Sequence, residues 1–273
     1  RRIWLDPALS EVTIEADDPK SAVGQKGANI QQLRNDIGWL VNVVRAPARE
    51  SRTQTDIRRF RKELADERKT LLRKFGTRIY RPQRPGPSWV RVTALGSYRE
   101  VGRAMHLVTT NESKVLVDCG AKPTSNRSEV QPFFAAPEML PLDNIDAVVI
   151  THAHVDHIGM LPVLFRYGYK GPVYCTQPTR DLMTLLQMDY IKVAQAEGNE
   201  APYSKSDIQE CIKHVVDVNW GEKTDIAPDI KITMENAGHI LGSSSVYMQI
   251  GEGRTEHKLL FSGDIKYEKS WLF

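Results

Sequence analysis

Val148-Val149-Ile150-Thr151-His152-Ala153-His154-Val155-Asp156-His157-Ile158-Gly159 sets an apolar strand directly before four candidate metal ligands. Loops at the C-terminal ends of strands are where α/β proteins place their chemistry. In extended backbone alternate side chains face the same way, so His152 and His154 share a side and can grip one cation. Asp156 and His157 arrive as the chain turns toward Gly159 and can face a second cation close by. Imidazoles with carboxylates suit Zn²⁺ first, with Mn²⁺ or Fe²⁺ as substitutes. A lone histidine is usually a surface or satisfied core residue, and His106, His214 and His257 are set aside on that ground. A His-x-His-x-Asp-His run has no such ordinary explanation.

Three further segments end strands with polar groups. Asn236-Ala237-Gly238-His239-Ile240-Leu241-Gly242 places a histidine between glycines, and Phe261-Ser262-Gly263-Asp264 places a carboxylate after an apolar run. Each alone reads equally well as a turn. Asp118, in Val115-Leu116-Val117-Asp118-Cys119-Gly120, is read as a group that orients ligand imidazoles without binding metal itself.

Working outward, short β-rich runs are expected at Trp89 to Leu95, Met105 to Thr110, Lys114 to Asp118 and Ala147 to Thr151. Helices are expected from about Thr179 to Ala196 and Ser206 to Lys213, with strands again up to Leu259 to Phe261. Sheets covered by helices follow from that alternation. Upstream, Arg81-Pro82-Gln83-Arg84-Pro85-Gly86-Pro87 forbids regular structure, so 81–88 reads as a linker between a domain at 1–80 and one at 89–273. The first domain predicts a strand at Glu11 to Ala16, a turn at Asp17-Asp18-Pro19, and a helix interrupted by Gly24-Gln25-Lys26-Gly27. A second helix should stop at Gly38 before a strand at Val41 to Val44. From Thr53 to Phe75, Ile57, Phe60, Leu64, Leu71 and Phe75 fall at helical spacing among many arginines and lysines, which predicts one long charged helix.

Charge separates the two parts. Residues 1 to 88 hold 19 Lys/Arg and 11 Asp/Glu, and the remainder holds 18 and 23, so a basic module precedes an acidic one although the whole chain is only +3. A basic module suggests a polyanionic partner. Among 273 residues, 41% hydrophobic and 26% charged, no apolar run is long enough to span a bilayer. Three dispersed cysteines, Cys119, Cys175 and Cys211, argue against a disulfide framework or a cysteine-rich zinc site, and favour a reducing, cytoplasmic setting. The chain opens on Arg1 with no leader pattern, so a fragment is expected.

The run from His152 to His157, with Asp118 before it and His239 and Asp264 after it, resembles the metallo-β-lactamase superfamily. Arg99-Glu100-Val101-Gly102-Arg103, Val117-Asp118-Cys119-Gly120, Ala237-Gly238-His239-Ile240-Leu241-Gly242-Ser243 and Ser262-Gly263-Asp264 resemble its β-CASP branch of nucleases, in particular archaeal relatives of the cleavage and polyadenylation specificity factor endonuclease. Ala22-Val23-Gly24-Gln25-Lys26-Gly27-Ala28-Asn29-Ile30 resembles the KH signature, whose Gly-x-x-Gly loop lets a nucleotide backbone approach closely. The resemblance implies an α/β (α+β) chain: a KH-like domain, then an αββα sandwich truncated before its cap domain.

It further implies His152, His154 and His239 on one zinc, Asp156 and His157 on the other, and Asp264 bridging. Asp118, Asp156 and Asp264 would be the catalytic carboxylates, as metal ligands or orienting groups, and Gly24, Gln25, Lys26 and Gly27 would hold RNA. The implied activity is two-zinc hydrolysis of single-stranded RNA in 3′-end formation and transcription termination, with the transcription machinery as partner and dimerisation through a missing C-terminal region. The sequence stops soon after Asp264, where β-CASP enzymes go on to further ligands and a general acid, so this piece alone is expected to bind zinc and RNA yet cleave poorly. Two rival readings stay open, a non-catalytic RNA-binding platform and a small-molecule hydrolase of the same superfamily.

Overall fold

A computed structural model describes residues 2–83, 89–122 and 130–268. The chain divides into two compact units, Arg1–Lys74 and Phe75–Phe273.

The first unit is a three-stranded sheet with helices. Strand β1 (Arg2–Asp6) pairs antiparallel with β2 (Glu11–Ala16), and β2 pairs parallel with β3 (Leu40–Arg45). Between β2 and β3 lie α1 (Pro19–Val23) and α2 (Ala28–Ile37), joined across Gly24–Gly27. Local chemistry sets these limits. The Asp18 carboxylate accepts from the Lys20 amide and caps α1, with Pro19 supplying a helical φ. Gly38, in the left-handed region, ends α2 with its amide on the Arg34 carbonyl. This strand and helix order is consistent with the KH-like reading. The unit's buried apolar set is small, with Val12, Val41 and Ile57 fully inside. Buried charge pairs supplement it: Arg58 holds Glu15 at 2.5 Å, and Arg61 and Arg68 both reach Asp6.

The expected single helix over Thr53 to Phe75 is two. Helix α3 (Arg52–Glu63) ends at Leu64, where ψ turns to 21°, and α4 (Ala65–Ile79) starts anew. Apolar spacing runs unbroken through the kink, so the sequence did not betray it. Arg61 and Arg68, on either side of Leu64, converge on the single Asp6 carboxylate. The division into units falls inside α4, ahead of the proline-rich stretch, because buried Phe75 packs on His214 and Arg78 binds Asp146, both in the second unit. Within that stretch Arg81 also holds Asp146, at 2.7 Å, while 84–88 lie outside the described residues.

The second unit packs two sheets face to face. The six-stranded sheet runs β4 (Val90–Gly96), β5 (Met105–Thr110), β6 (Lys114–Val117), β7 (Ala147–Val149), β8 (Val173–Cys175) and β9 (Val215–Asp217) in sequence order. Its first two pairings are antiparallel and the rest parallel. The four-stranded antiparallel sheet is β10 (Lys223–Ala227), β11 (Ile230–Asn236), β12 (Ser244–Ile250) and β13 (His257–Phe261). Alternate residues face the seam: Val115, Val117, Ala147 and Val149 from one sheet meet Ile230, Ile232, Met234, Val246, Met248 and Ile250 from the other. Helices α5 (Val155–Ile158), α6 (Leu161–Arg166), α7 (Gln177–Ala196) and α8 (Lys205–His214) follow the parallel strands, with α6 and α7 both packed on α8 and α7 on β9. Because β4 and β6 each pair antiparallel with β5, the C-terminal ends of β4, β6, β7 and β8 all lie at one edge. No described helix is long and apolar enough to cross a membrane.

Candidate metal centre

The run from Thr151 to His157 leaves β7 at that edge, and two further loops join it from the four-stranded sheet. In the β11–β12 pairing Asn236 faces Ser244, and in the β12–β13 pairing Phe261 faces Val246, so the His239 and Asp264 loops emerge side by side. The sheets are tied there by the Ser244 amide donating to the Thr151 carbonyl at 2.8 Å, and the loops to each other by the Lys266 amide on Ala237. The buried Ser243 hydroxyl accepts from the amides of His239 and Ile240, which fixes the turn that presents His239. Behind it, the Thr176 and Thr179 hydroxyls donate to the Gly242 carbonyl.

Imidazole nitrogens converge on one carboxylate. His154 Nδ1 lies 3.2 Å from His152 Nε2 and 3.0 Å from His239 Nε2. Asp264 Oδ2 lies 3.7 Å from His152 Nε2 and 3.5 Å from His239 Nε2. One ligand atom from each of these four residues falls within 4.8 Å of every other. The other oxygen, Asp264 Oδ1, faces His157 Nε2 at 3.5 Å, and that nitrogen is 3.8 Å from Asp156 Oδ2. The two oxygens of Asp264 therefore point at two different ligand sets.

Groups behind the imidazoles decide which nitrogens keep lone pairs. Asp118 is buried with φ of +61°, a conformation that costs energy outside glycine and persists only when its surroundings hold it. Its carboxylate accepts from His157 Nδ1 at 2.8 Å, from the Thr151 amide at 2.8 Å and from the Thr151 hydroxyl at 2.9 Å. With the hydroxyl proton given to Asp118, Thr151 Oγ accepts from His152 Nδ1 at 3.1 Å. The protons of His152 and His157 thus sit on Nδ1, and both Nε2 lone pairs look toward Asp264. Gly120 permits this packing, since a Cβ there would fall on the Asp156 carbonyl.

Charge regulation agrees. Burial, then the neighbouring imidazoles, pushes His152 down to about 2, and burial followed by His239 lowers His154. Both are held neutral, the form that donates to metal. Burial also opposes charge on His157, but the hydrogen bond and charge of Asp118, followed by Asp156 and Asp264, raise it. Imidazole nitrogens 3.0 to 3.2 Å apart, gathered on one carboxylate, form a donor set that suits a divalent cation.

Every residue singled out in the sequence for this site lies in or against the cluster, with Asp118 behind it. The excluded histidines sit elsewhere or are satisfied: His214 is buried on the Gly171 carbonyl, His257 is exposed, and His106 leans on Phe261. Thr151 was not singled out. Its signal was its place between strand and ligands, but its partner Asp118 lies 33 residues away.

The second candidate site belongs to the first unit. Gly24, Lys26 and Gly27 all take positive φ, so the backbone turns tightly. Gly24 lies hard against the Asn29 side chain, the space over Gly27 is open, and Lys26 is exposed beside it.

Residues 107–268 match the family described as the metallo-beta-lactamase superfamily domain. The chain is 48% identical over 270 residues to the transcription termination factor FttA of Methanosarcina mazei, covering 99% of this chain and 42% of that protein. It is 45% identical over 269 residues to the protein of the same name from Methanocaldococcus jannaschii, covering 98% and 42%. The chain therefore spans less than half the length of the curated relatives it matches. Among solved structures, a metallo-β-lactamase of Legionella gormanii aligns with a TM-score of 0.44 at 15% identity, over 70% of this chain and 69% of that one.

Proposed function

Because this chain belongs to the metallo-β-lactamase superfamily, we propose that it is the RNA-gripping and metal-holding part of a zinc-dependent ribonuclease acting on single-stranded RNA in 3′-end processing and transcription termination. The observation that carries the reading is the division of Asp264: one oxygen faces His152 and His239, the other His157. In this proposal His152, His154 and His239 hold one zinc, Asp156 and His157 the second, and Asp264 spans both. Such a pair, when bound, supplies Lewis acidity to water and to the phosphodiester oxygens. Asp118 and Thr151 keep protons on the outward imidazole nitrogens, so that the inward ones remain free to bind. Asp264, 46% exposed, stands on the open side where a strand can enter. Gly24, Gln25, Lys26 and Gly27 hold single-stranded RNA by its backbone, with the Lys26 ammonium on phosphate.

The relatives named termination factors support the biological setting, a cytoplasmic one with the transcription machinery as partner. A basic Gly-x-x-Gly unit has no evident use in a small-molecule hydrolase. The test is to assay one preparation for bound metal and for cleavage of an end-labelled single-stranded RNA, with and without chelator. Zinc near two per chain with chelator-sensitive cleavage supports the reading. RNA held uncut by the zinc-loaded chain turns it to a binding platform.

A further inference from the structure

Helix α5 is one turn long and carries both Asp156 and His157. A turn that short gains too little from its own hydrogen bonds to form alone, and the last carbonyls of any helix need partners from elsewhere. Here they come from two other segments. The Val155 carbonyl accepts from the Ala121 amide at 2.9 Å, the Asp156 carbonyl from Ala104 at 2.8 Å and the His157 carbonyl from Cys119 at 2.8 Å. One arm of this cradle is 119–121, which follows β6; the other is Ala104, at the end of the loop that follows β4. The Gly120 amide donates to the Ala104 carbonyl at 2.9 Å and joins the arms at their inner ends.

Glu100 joins the outer ends. Its carboxylate accepts from Arg103 Nε at 2.5 Å through Oε1 and from Lys122 Nζ at 2.8 Å through Oε2. Arg103 adjoins Ala104 and Lys122 adjoins Ala121, so each cation sits one residue from an amide that holds the turn. Arg103 also reaches the Gln131 carbonyl, at 3.5 Å. The loop needs such support. Arg99 and Arg103 take positive φ, a costly shape for residues with a Cβ, and a Cβ at Gly102 would press to 3.0 Å from Lys122 Cα. The hydrogen bond from Arg103, then that from Lys122, brings the Glu100 carboxyl down to about 2, so it stays ionised at any working pH.

Glu100 and Arg103 belong to the Arg99-to-Arg103 segment, which supplies no ligand to the metal centre. We infer that Glu100 is a positioning residue for the second metal: by stapling Arg103 to Lys122 it fixes the backbone amides that hold the turn bearing Asp156 and His157. The effect falls chiefly on Asp156, since the His157 ring has its own anchor in Asp118. The first ligand set is anchored elsewhere, His152 on the Thr151 hydroxyl and the His239 backbone on the Ser243 hydroxyl. This rests on the assignment of Asp156 and His157 to a second metal, and adds a residue that acts on that set and not on the first.

The experiment measures zinc affinity by competition with a chelator in two backgrounds, with thermal unfolding of each metal-free chain alongside. His154→Ala leaves the second set to bind zinc, and His157→Ala leaves the first. Adding Glu100→Ala should lower affinity about ten-fold in the His154→Ala chain, the size usual when an outer partner of a ligand is lost, and leave it unchanged in the His157→Ala chain. Lys122→Ala should repeat that pattern, whereas Lys122→Arg, which keeps a donor for Glu100, should retain the affinity. Equal loss in both backgrounds would overturn the inference, because a general weakening of the fold acts on both sets. Zinc bound by the His154→Ala chain with Glu100→Ala without effect would overturn the role of Glu100 alone. A His154→Ala chain that binds no zinc would overturn the second-metal reading, and this role with it.

Discussion

Replacing Thr151 with Val keeps shape and removes one hydroxyl. In the structure that hydroxyl serves two groups, donating to Asp118 at 2.9 Å and accepting from His152 Nδ1 at 3.1 Å. Thr151→Val leaves the buried His152 Nδ1–H without an acceptor and takes one bond from Asp118, which keeps those from His157 and the Thr151 amide. A buried donor stripped of its partner costs about 1–3 kcal/mol. The imidazole can recover the loss by moving its proton to Nε2, but that removes the lone pair needed for metal. The cost should therefore appear in metal affinity, about 10- to 100-fold, the size usual when a partner of a ligating histidine is lost. The assay is competitive titration of Co²⁺ against a chelator, followed in the visible absorption of the bound ion, with thermal unfolding of the metal-free chain alongside. Thr151→Ser should restore affinity to near the original. Unchanged cobalt affinity in Thr151→Val would refute the idea that this hydroxyl sets the tautomer of His152.

Three further outcomes are expected. Asp264→Asn keeps size but removes the charge facing both ligand sets, and bound metal measured by mass spectrometry should fall at both sites, not one. Lys26→Glu should weaken binding of single-stranded RNA several-fold and flatten its salt dependence by about one phosphate contact, with zinc content unchanged; equal binding at all salt concentrations would remove the Gly24–Gly27 loop from the RNA site. The metal-free chain should melt at lower temperature at pH 5 than at pH 7. His152, His154 and His214 have folded pKa values below the unfolded value near 6.5, so the unfolded chain takes up protons that the folded one refuses, and stability present above 6.5 is lost as pH falls. His152, unprotonated until about 2, accounts for about 2 kcal/mol of that loss by pH 5. His157, raised, contributes in the opposite sense, with stability present below 6.5 and lost as pH rises through its folded value. A melting temperature that is flat or rises toward pH 5 would contradict this balance.

Much of the fold was legible because its signals are local. Strand β5 was bounded to the residue, and α7 and α8 within two residues at each end, from residue pattern and periodicity alone. The ligand run was legible because its four donors, His152, His154, Asp156 and His157, lie in one short stretch. That His239 and Asp264 close the cluster could not be read from spacing, since it depends on the β11–β12 and β12–β13 registers, and only family resemblance anticipated it. The break at Leu64 escaped because both half-helices keep apolar spacing, and the pull of Asp6 on Arg61 and Arg68 is tertiary. The staple at Glu100 escaped for a related reason. Its partner Lys122 lies 22 residues away, and only folding brings the two together.

The most direct test of the central claim is metal content per chain, by mass spectrometry, for the original sequence and for His154→Ala prepared identically. His154 Nδ1 lies between the inward nitrogens of His152 and His239, so its loss opens one ligand set and leaves the other. About two zincs in the original, falling to one or fewer in the variant with RNA affinity retained, is the predicted result. A chain that holds no divalent metal, or a variant that holds as much as the original, would contradict the account.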